Sequence, residues 1–104
     1  MLPDGVFIAN DLCAAICMHR FKEAGIKVPE EIAIIGFNND IISRIVEPQL
    51  TTIDYPGHEM GVMAAKCLID QLNDNDTLSK SHSVILKSRL LIRASTNRCK
   101  NVNK

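Results

Sequence analysis

Aromatic side chains, net charge and long apolar runs are all scarce in this sequence. Only 4% of its 104 residues are aromatic and none is tryptophan, so no platform of rings is available for stacking nucleobases. Lysine and arginine number 12, as do aspartate and glutamate, which leaves no excess of positive charge for non-specific DNA binding. No apolar run approaches the roughly 20 residues that span a bilayer, and the N-terminus lacks the charged start and apolar stretch of a signal peptide. We expect a soluble chain in which any DNA binding belongs to another segment.

Paired metal ligands and a catalytic triad are also missing. The 4 cysteines include no C-x-x-C pair, and the 3 histidines lie far apart in the sequence, so neither a zinc site nor a disulfide scaffold is predicted. Ser43, His58 and Asp54 can be combined on paper into a triad, but no strand-to-helix nucleophile elbow accompanies them. We expect no metal, no cofactor and no catalysis.

The apolar residues, 46% of the chain, follow a pattern of alternating strands and helices. Residues 6–9 are a short apolar run, residues 11–24 are rich in helix formers, and residues 32–37 are apolar without alternation. The last pattern is typical of a parallel strand that is covered on both faces. Strand, helix and strand form a right-handed crossover, so the two strands are predicted to be parallel neighbours. Gly25 suits the left-handed position after the helix.

The second half of the chain predicts three further elements and one extended segment. Residues 41–46 are expected to form a short helix that Pro48 closes, and residues 50–53 form a short extended segment. Residues 58–72 carry apolar side chains with a period of 3.6, which predicts an amphipathic helix. Residues 84–92 predict a strand.

Polar side chains follow both parallel strands at the point where each strand ends. Asn10 and Asp11 come after the first strand, and Asn38 and Asp40 come after the second. Ligands of open α/β sheets bind outside the carboxyl ends of the strands, so these side chains are candidate ligand contacts. They also have a purely structural interpretation, in which Asn10 or, more readily, Asp11 caps the helix and residues 38–40 shape a turn. The residue pattern alone leaves both interpretations open.

Three ordered motifs resemble the LacI/GalR family of bacterial transcription regulators. They are PDGVFIAND at 3–11, GIKVPEEIAIIGF at 25–37 and PQLTTI at 48–53, and the ending LLIRAST at 90–96 resembles the family's closing strand. The resemblance covers residues 3 to about 96. It implies an α/β fold, the parallel-sheet C-terminal lobe of a periplasmic-binding-protein-like (type I) fold. It also implies an incomplete fragment that lacks the first lobe and the DNA-binding headpiece.

The resemblance also implies a division of the chain. Residues 1–53 would form the strand-helix-strand unit and short helix of the C-terminal lobe, residues 54–83 would cross towards the first lobe, residues 84–96 would return as the closing strand, and residues 97–104 would be a disordered basic tail. The crossing helix carries an apolar stripe. This stripe is expected to be covered by the first lobe, by the chain itself or by a second copy, with residues 55–57 as a hinge; its members are Met60, Met63, Ala64, Cys67, Leu68 and Leu72.

Members of the family bind a small effector, often a sugar, between two lobes. The resemblance implies that Asn10 and Asn38 contact this effector, with Asp11 and Asp40 as further candidates. Many relatives carry aspartate at the position of Asn38, where a carboxylate accepts from two hydroxyl groups. An amide accepts only through its oxygen and donates through its nitrogen, so the identity of the ligand stays open.

Dimerisation is the second function that the resemblance implies. The family's dimer surface corresponds here to Ala15, Met18 and Val46. Residues 12–18 are apolar around most of the helix, so we expect burial on more than one face and contact with a partner. The alternative is that a helix outside this chain covers the surface.

These features together predict the effector-sensing, dimeric part of a cytoplasmic LacI-type regulator. Its partners are a small molecule, a second copy and, through the absent headpiece only, operator DNA; no membrane partner is expected. A periplasmic sugar-binding transport protein is the main alternative, and a small α/β enzyme is the second. The segment at 50–53, followed by Pro56, favours the regulator.

Overall fold

The computed structural model describes residues 2–73 and 83–98, which fall into two compact units. The first unit contains the residues up to Asp54 and from Arg89 onward, and the second runs from Tyr55 to Ser88. In chain order the elements are β1 (Gly5–Phe7), α1 (Asp11–Glu23), β2 (Ala33–Ile35), α2 (Ile42–Ile45), β3 (Thr52–Asp54), α3 (Gly57–Asn73), β4 (Arg89–Leu91) and a 3-10 helix (Ala94–Thr96).

The predicted parallel pair is confirmed. β1 and β2 run parallel, with Gly5 opposite Ala33 and Phe7 opposite Ile35. A parallel bridge between Ile35 and Thr51 brings the chain before β3 alongside β2, and β3 pairs antiparallel with β4. Because β1 and β2 are parallel neighbours in this register, both end at the same edge of the sheet.

Aliphatic side chains form the core of the first unit, as the scarcity of aromatic residues requires. The buried cluster consists of Ala14 and Met18 from α1, Ile34 from β2, and Leu50 from the segment before β3. These side chains lie where α1 packs on the sheet, and their burial removes apolar surface from water. The core therefore fixes α1 against the two parallel strands whose ends carry the polar residues.

The C-terminal end of α1 agrees with the prediction from the sequence, whereas the N-terminal cap differs from it. Gly25 follows the helix with φ of 79°, as predicted. The prediction that Asp11 is the preferred cap is wrong, because Asn10 is the N-cap and its side-chain oxygen accepts from the amides of Leu12 and Cys13. Asp11 is the first residue of the helix and is fully buried.

Within the described chain α1 is buried on one face, and the predicted burial of a second face depends on a partner. Ala14, Ala15 and Met18 are buried, whereas Leu12 and Ile16 are 55% and 56% exposed. One sheet face covers one face of the helix, and no other described element of the unit covers the opposite side. The described chain therefore leaves an apolar helix face in contact with solvent.

Ser95 in the 3-10 helix joins β2 to the segment before β3. Its hydroxyl donates to the carbonyl of Ile34 at 2.6 Å and accepts from the amide of Thr51 at 2.9 Å. The side chain is fully buried. A single hydroxyl thus satisfies two backbone groups that would otherwise be buried without a partner.

We expect Ser95→Ala to lower the free energy of unfolding by about 1–3 kcal/mol, because it strands a buried carbonyl and a buried amide. Urea unfolding followed by circular dichroism measures the change. Ser88→Ala, at an exposed serine, is the matched control and should unfold at the midpoint of the unsubstituted protein. Equal midpoints for both variants would contradict this role of Ser95.

The C-terminal segment departs from the predicted pattern in two places. The strand predicted for residues 84–92 is limited to Arg89–Leu91, because residues 84–88 belong to the second unit. The tail predicted from residue 97 is tied down at Arg98, whose guanidinium donates to the carbonyls of Pro29 and Asp4. The rest of that predicted tail, residues 99–104, lies outside the described residues, as do residues 74–82 of the predicted crossing segment.

The second unit contains α3, the predicted amphipathic helix. Val84 and Leu86 line a groove of about 260 Å³ together with four residues of the stripe: Met60, Met63, Ala64 and Cys67. Leu68 and Leu72 stay largely exposed. No residue of α3 is buried within the described chain, so the stripe stays accessible to solvent. Among the described residues, no helix is long and apolar enough to cross a membrane.

Candidate ligand-binding site

The structure places the predicted site residues after the carboxyl ends of β1 and β2. Asn10, Asn38 and Asp40 are exposed, and Asp11 is buried beneath them. The backbone amide of Asp40 donates to Asp11 Oδ2 at 2.7 Å. This contact brings the chain after β2 against the first turn of α1, so the two polar segments predicted from the sequence meet.

Asn10 combines the two interpretations that the sequence left open. Its Oδ1 atom accepts from the amide of Leu12 at 2.9 Å and from that of Cys13 at 3.2 Å. The oxygen is therefore committed to the helix cap. The nitrogen of the same exposed side chain is a hydrogen-bond donor, so the cap does not use the donor of this residue.

The loop at residues 38–40, which we call the strand-end loop, has an unusual backbone. Asn38 has φ of 124° and Asn39 has φ of 53°, and asparagine tolerates such positive values better than most residues do. Every backbone amide of the loop has an acceptor: Ile53 O for Asn38 at 2.9 Å, Thr52 Oγ1 for Asn39 at 3.2 Å, and Asp11 Oδ2 for Asp40 at 2.7 Å. Local strain of this kind persists where the surroundings determine it.

Asp11 supports the strand-end loop from below. Its two carboxylate oxygens accept from the Thr52 hydroxyl and from the Asp40 amide, each at 2.7 Å. A carboxylate in the first turn of a helix also interacts favourably with the helix dipole. Both oxygens are thus used inside the chain, which gives this residue a structural contact that its position in the sequence did not reveal.

Three supporting residues were missed by the residue pattern. Thr52 links Asp11 to the loop, as described above. Ser43 in α2 donates from its hydroxyl to the carbonyl of Asp40 at 2.6 Å, and Arg93 donates to the side chain of Asn39 at 3.1 Å. Thr52 and Arg93 come from β3 and from the segment after β4, far along the chain from the strand ends. Ser43 is 3 positions from Asp40, but no motif marked it.

The exposed groups define what this site can bind. Two carboxamides and one carboxylate supply donors and acceptors at the edge of the sheet, which suits a neutral ligand with several hydroxyl groups. Within residues 2–73 and 83–98, no three His, Cys, Asp or Glu side chains are grouped as a metal site would require. Hydrogen bonding is the chemistry that the two carboxamides and the carboxylate offer.

The residues of the predicted dimer surface also meet. Ala15, Met18 and Val46 line one shallow depression where α1 and α2 pack together. Ala15 and Met18 are only 9% and 5% exposed, so these two belong largely to the interior of the unit. The same two helices also carry exposed apolar side chains, which are Leu12 and Ile16 of α1, and Ile41 and Ile45 at α2, with exposures of 55%, 56%, 63% and 67%. We call these four residues the α1–α2 surface.

Comparison with known families defines the class of protein to which this fold and site belong. The profile of the periplasmic binding protein-like domain matches residues 1–96, and the chain belongs to that family. Its structural neighbours include LacI-family transcriptional regulators, and the chain matches a fragment of the effector-binding domain. The resemblance of the three motifs at 3–11, 25–37 and 48–53 to the LacI/GalR family is thereby confirmed. The predicted α/β fold with parallel strands is confirmed as well.

Individual relatives give this class more detail. The NTD biosynthesis operon regulator NtdR of Bacillus subtilis (strain 168) is 38% identical over 94 residues, which are 90% of this chain and 28% of that protein. A LacI family transcriptional regulator from Enterococcus faecium, solved with bound ribose, aligns with a TM-score of 0.74 and 33% identity over 92% of this chain and 35% of its own. A periplasmic binding protein/LacI transcriptional regulator from Alkaliphilus metalliredigens QYMF, complexed with D-xylulofuranose, aligns with a TM-score of 0.70 and 32% identity over 90% and 35%. This chain therefore spans about a third or less of the length of these relatives.

Proposed function

We propose that this chain senses a sugar as part of a dimeric, cytoplasmic transcription regulator that carries no catalytic activity. The observation that carries the proposal is the strand-end loop, in which Asp40 contacts the first turn of α1 and every backbone amide is hydrogen-bonded. Solved relatives with bound ribose and D-xylulofuranose support a sugar as the class of ligand.

The individual residues take different roles in this proposal. The Asn10 nitrogen donates to a ligand oxygen, the Asn38 amide both donates and accepts, and the exposed Asp40 carboxylate accepts from hydroxyl groups. We assign a positioning role to Asp11, because its carboxylate is buried and already accepts two hydrogen bonds. Replacing the usual aspartate by Asn38 changes the preferred pattern of hydroxyl groups on the sugar.

We expect Asn38→Ala to weaken sugar binding about tenfold, because it removes hydrogen bonds to the ligand and leaves a ligand group without a partner. Isothermal titration calorimetry with D-ribose, D-xylulose and related sugars measures the affinity. The measurement uses the complete, unsubstituted protein, which we call the natural protein. Asn97→Ala, at an exposed asparagine after the 3-10 helix, is the control and should bind as the unsubstituted protein does. Equal affinity for both variants would remove Asn38 from the site.

The sequence of the gene upstream of Met1 tests independently whether the protein is a transcription regulator or a transport protein. A helix-turn-helix headpiece there supports the regulator, which would contact operator DNA through that headpiece. A signal peptide there would contradict the proposal and favour a transport protein. Failure of the natural protein to bind any sugar would contradict the sensing function in either case.

Two surfaces extend the proposal to assembly. We propose that α1 and α2 form a dimer interface around Ala15, Met18 and Val46, with the α1–α2 surface contributing the exposed apolar area. Exposed apolar side chains on two contacting helices are typical of surfaces that bury themselves against a partner. We further propose that the exposed part of α3, including Leu68 and Leu72, packs on the first lobe of the complete protein.

A further inference from the structure

The side chain of Arg93 joins three segments of the first unit. Its Nη1 atom donates to the hydroxyl of Ser43 in α2 at 2.8 Å and to the carbonyl of Leu50 at 3.0 Å. Its Nη2 atom donates to Asn39 Oδ1 at 3.1 Å. The residue lies directly after β4, and it is half-buried.

The contacts of Arg93 converge on the strand-end loop by two routes. The direct route is the bond to the Asn39 side chain, next to the proposed sugar contact Asn38. The indirect route passes through Ser43, whose hydroxyl accepts from Arg93 and donates to the carbonyl of Asp40 at 2.6 Å. The loop is therefore held at a side chain and at a backbone carbonyl by a single guanidinium group.

The chemistry of these contacts requires arginine. All three acceptors are neutral, namely a hydroxyl, a peptide carbonyl and a carboxamide. Arginine presents its donors in a rigid planar fork, whereas the lysine ammonium is a compact charge on a flexible stem. A lysine at this position would not hold three acceptors from different segments in one arrangement.

We propose that Arg93 is a positioning residue, which holds the strand-end loop in its binding arrangement before any ligand arrives. The loop needs such a device because Asn38 and Asn39 both have positive φ, a conformation that persists only where neighbouring groups determine it. The relevance of this device to sugar affinity rests on the proposed function, whereas its effect on the loop does not.

Amide hydrogen exchange of the ligand-free natural protein tests the effect on the loop. We expect Arg93→Gln to accelerate exchange at the amides of Asn39 and Asp40 about tenfold or more, while the amide of Met18 in α1 keeps its rate. Arg93→Lys should resemble Arg93→Gln rather than the natural protein. Unchanged exchange in the loop, or equal acceleration at all amides, would overturn the proposal.

Arg98 offers a matched control in the same part of the chain. It also donates to carbonyl groups, those of Pro29 and Asp4, but these precede β2 and β1 at the opposite end of the strands. Arg98→Gln should therefore leave exchange at the strand-end loop unchanged. If Arg98→Gln accelerates the loop as much as Arg93→Gln does, the effect is general destabilisation and the proposal is wrong.

Substitutions of Asn39 test whether the hydrogen bond from Arg93 to the Asn39 side chain, rather than general stability, controls the loop. Asn39→Gly keeps the positive φ accessible but removes the acceptor, so it should reproduce the accelerated exchange at Asp40. Asn39→Asp keeps an acceptor for the guanidinium and should restore slow exchange. Faster exchange at Asp40 in Asn39→Asp than in Asn39→Gly would show that the bond between Arg93 and Asn39 is not the cause.

Titration with D-ribose adds the functional readout. If D-ribose binds the natural protein, Arg93→Gln should weaken it about tenfold and Arg98→Gln should not. Equal affinity of the natural protein and Arg93→Gln would overturn the positioning role. If neither D-ribose nor another sugar binds the natural protein, the proposed function fails, and hydrogen exchange alone decides the role of Arg93.

Discussion

Replacing Gly36 with alanine is expected to destabilise the first unit by about 3 kcal/mol or more, which is a large part of the stability of a small domain. A Cβ atom at this position would overlap Asp11 Oδ1 and would lie 2.9 Å from Leu50 Cδ2. Neither neighbour can move freely, because Asp11 is hydrogen-bonded to Thr52 and to Asp40 while Leu50 belongs to the buried core. The substitution therefore displaces a buried carboxylate or breaks the core.

Urea unfolding of the natural protein and of Gly36→Ala measures this loss, and sugar titration shows whether the strand-end loop is lost with it. Gly61 in α3 provides the control, because a Cβ there meets no atom within 4 Å. Gly61→Ala should be neutral or stabilising by up to about 1 kcal/mol, as alanine favours the helix. A Gly36→Ala protein that unfolds at the natural midpoint and binds sugar normally would contradict the close packing of Asp11.

Ile16→Asp combined with Ile45→Asp is expected to convert the proposed dimer of the natural protein into monomers. Both side chains belong to the α1–α2 surface and are more than half exposed, so the substitutions place charges in the proposed interface without entering the core. Burying two unpaired carboxylates in each half of a dimer is strongly unfavourable. Analytical ultracentrifugation at several protein concentrations measures the change.

The choice of these positions follows from burial within the unit. Aspartate at Ala15 or Met18 would disturb the core itself, because both side chains are largely covered by their own chain. Ile92→Asp is the matched control, since Ile92 is also exposed but lies between β4 and the 3-10 helix. A double variant that sediments as an unchanged dimer would show that another surface forms the interface.

Local patterns in the sequence were sufficient for most of the elements. An apolar run without alternation predicted β2, a period of 3.6 predicted α3, and Gly25 marked the end of α1. These features depend on neighbours within a few residues along the chain, so short-range rules describe them. The strand predicted for 84–92 is too long, because strand formation there depends on a distant partner. Only Arg89–Leu91 pair with β3, whereas residues 84–88 lie in the second unit.

By itself, the sequence determined the order of strands and helices, the parallel pair and the placement of polar residues after both strands. The tertiary structure alone decided which of those residues face solvent. Asn10 and Asp11 are adjacent and both suit a helix cap, yet Asn10 caps α1 while Asp11 is buried under the strand-end loop. Two of the partners that decide this are distant in the sequence: Thr52 is 41 positions away from Asp11, and Arg93 is 54 positions away from Asn39. Long-range hydrogen bonds of this kind form only when distant segments pack together, so no pattern of neighbouring residues contains them.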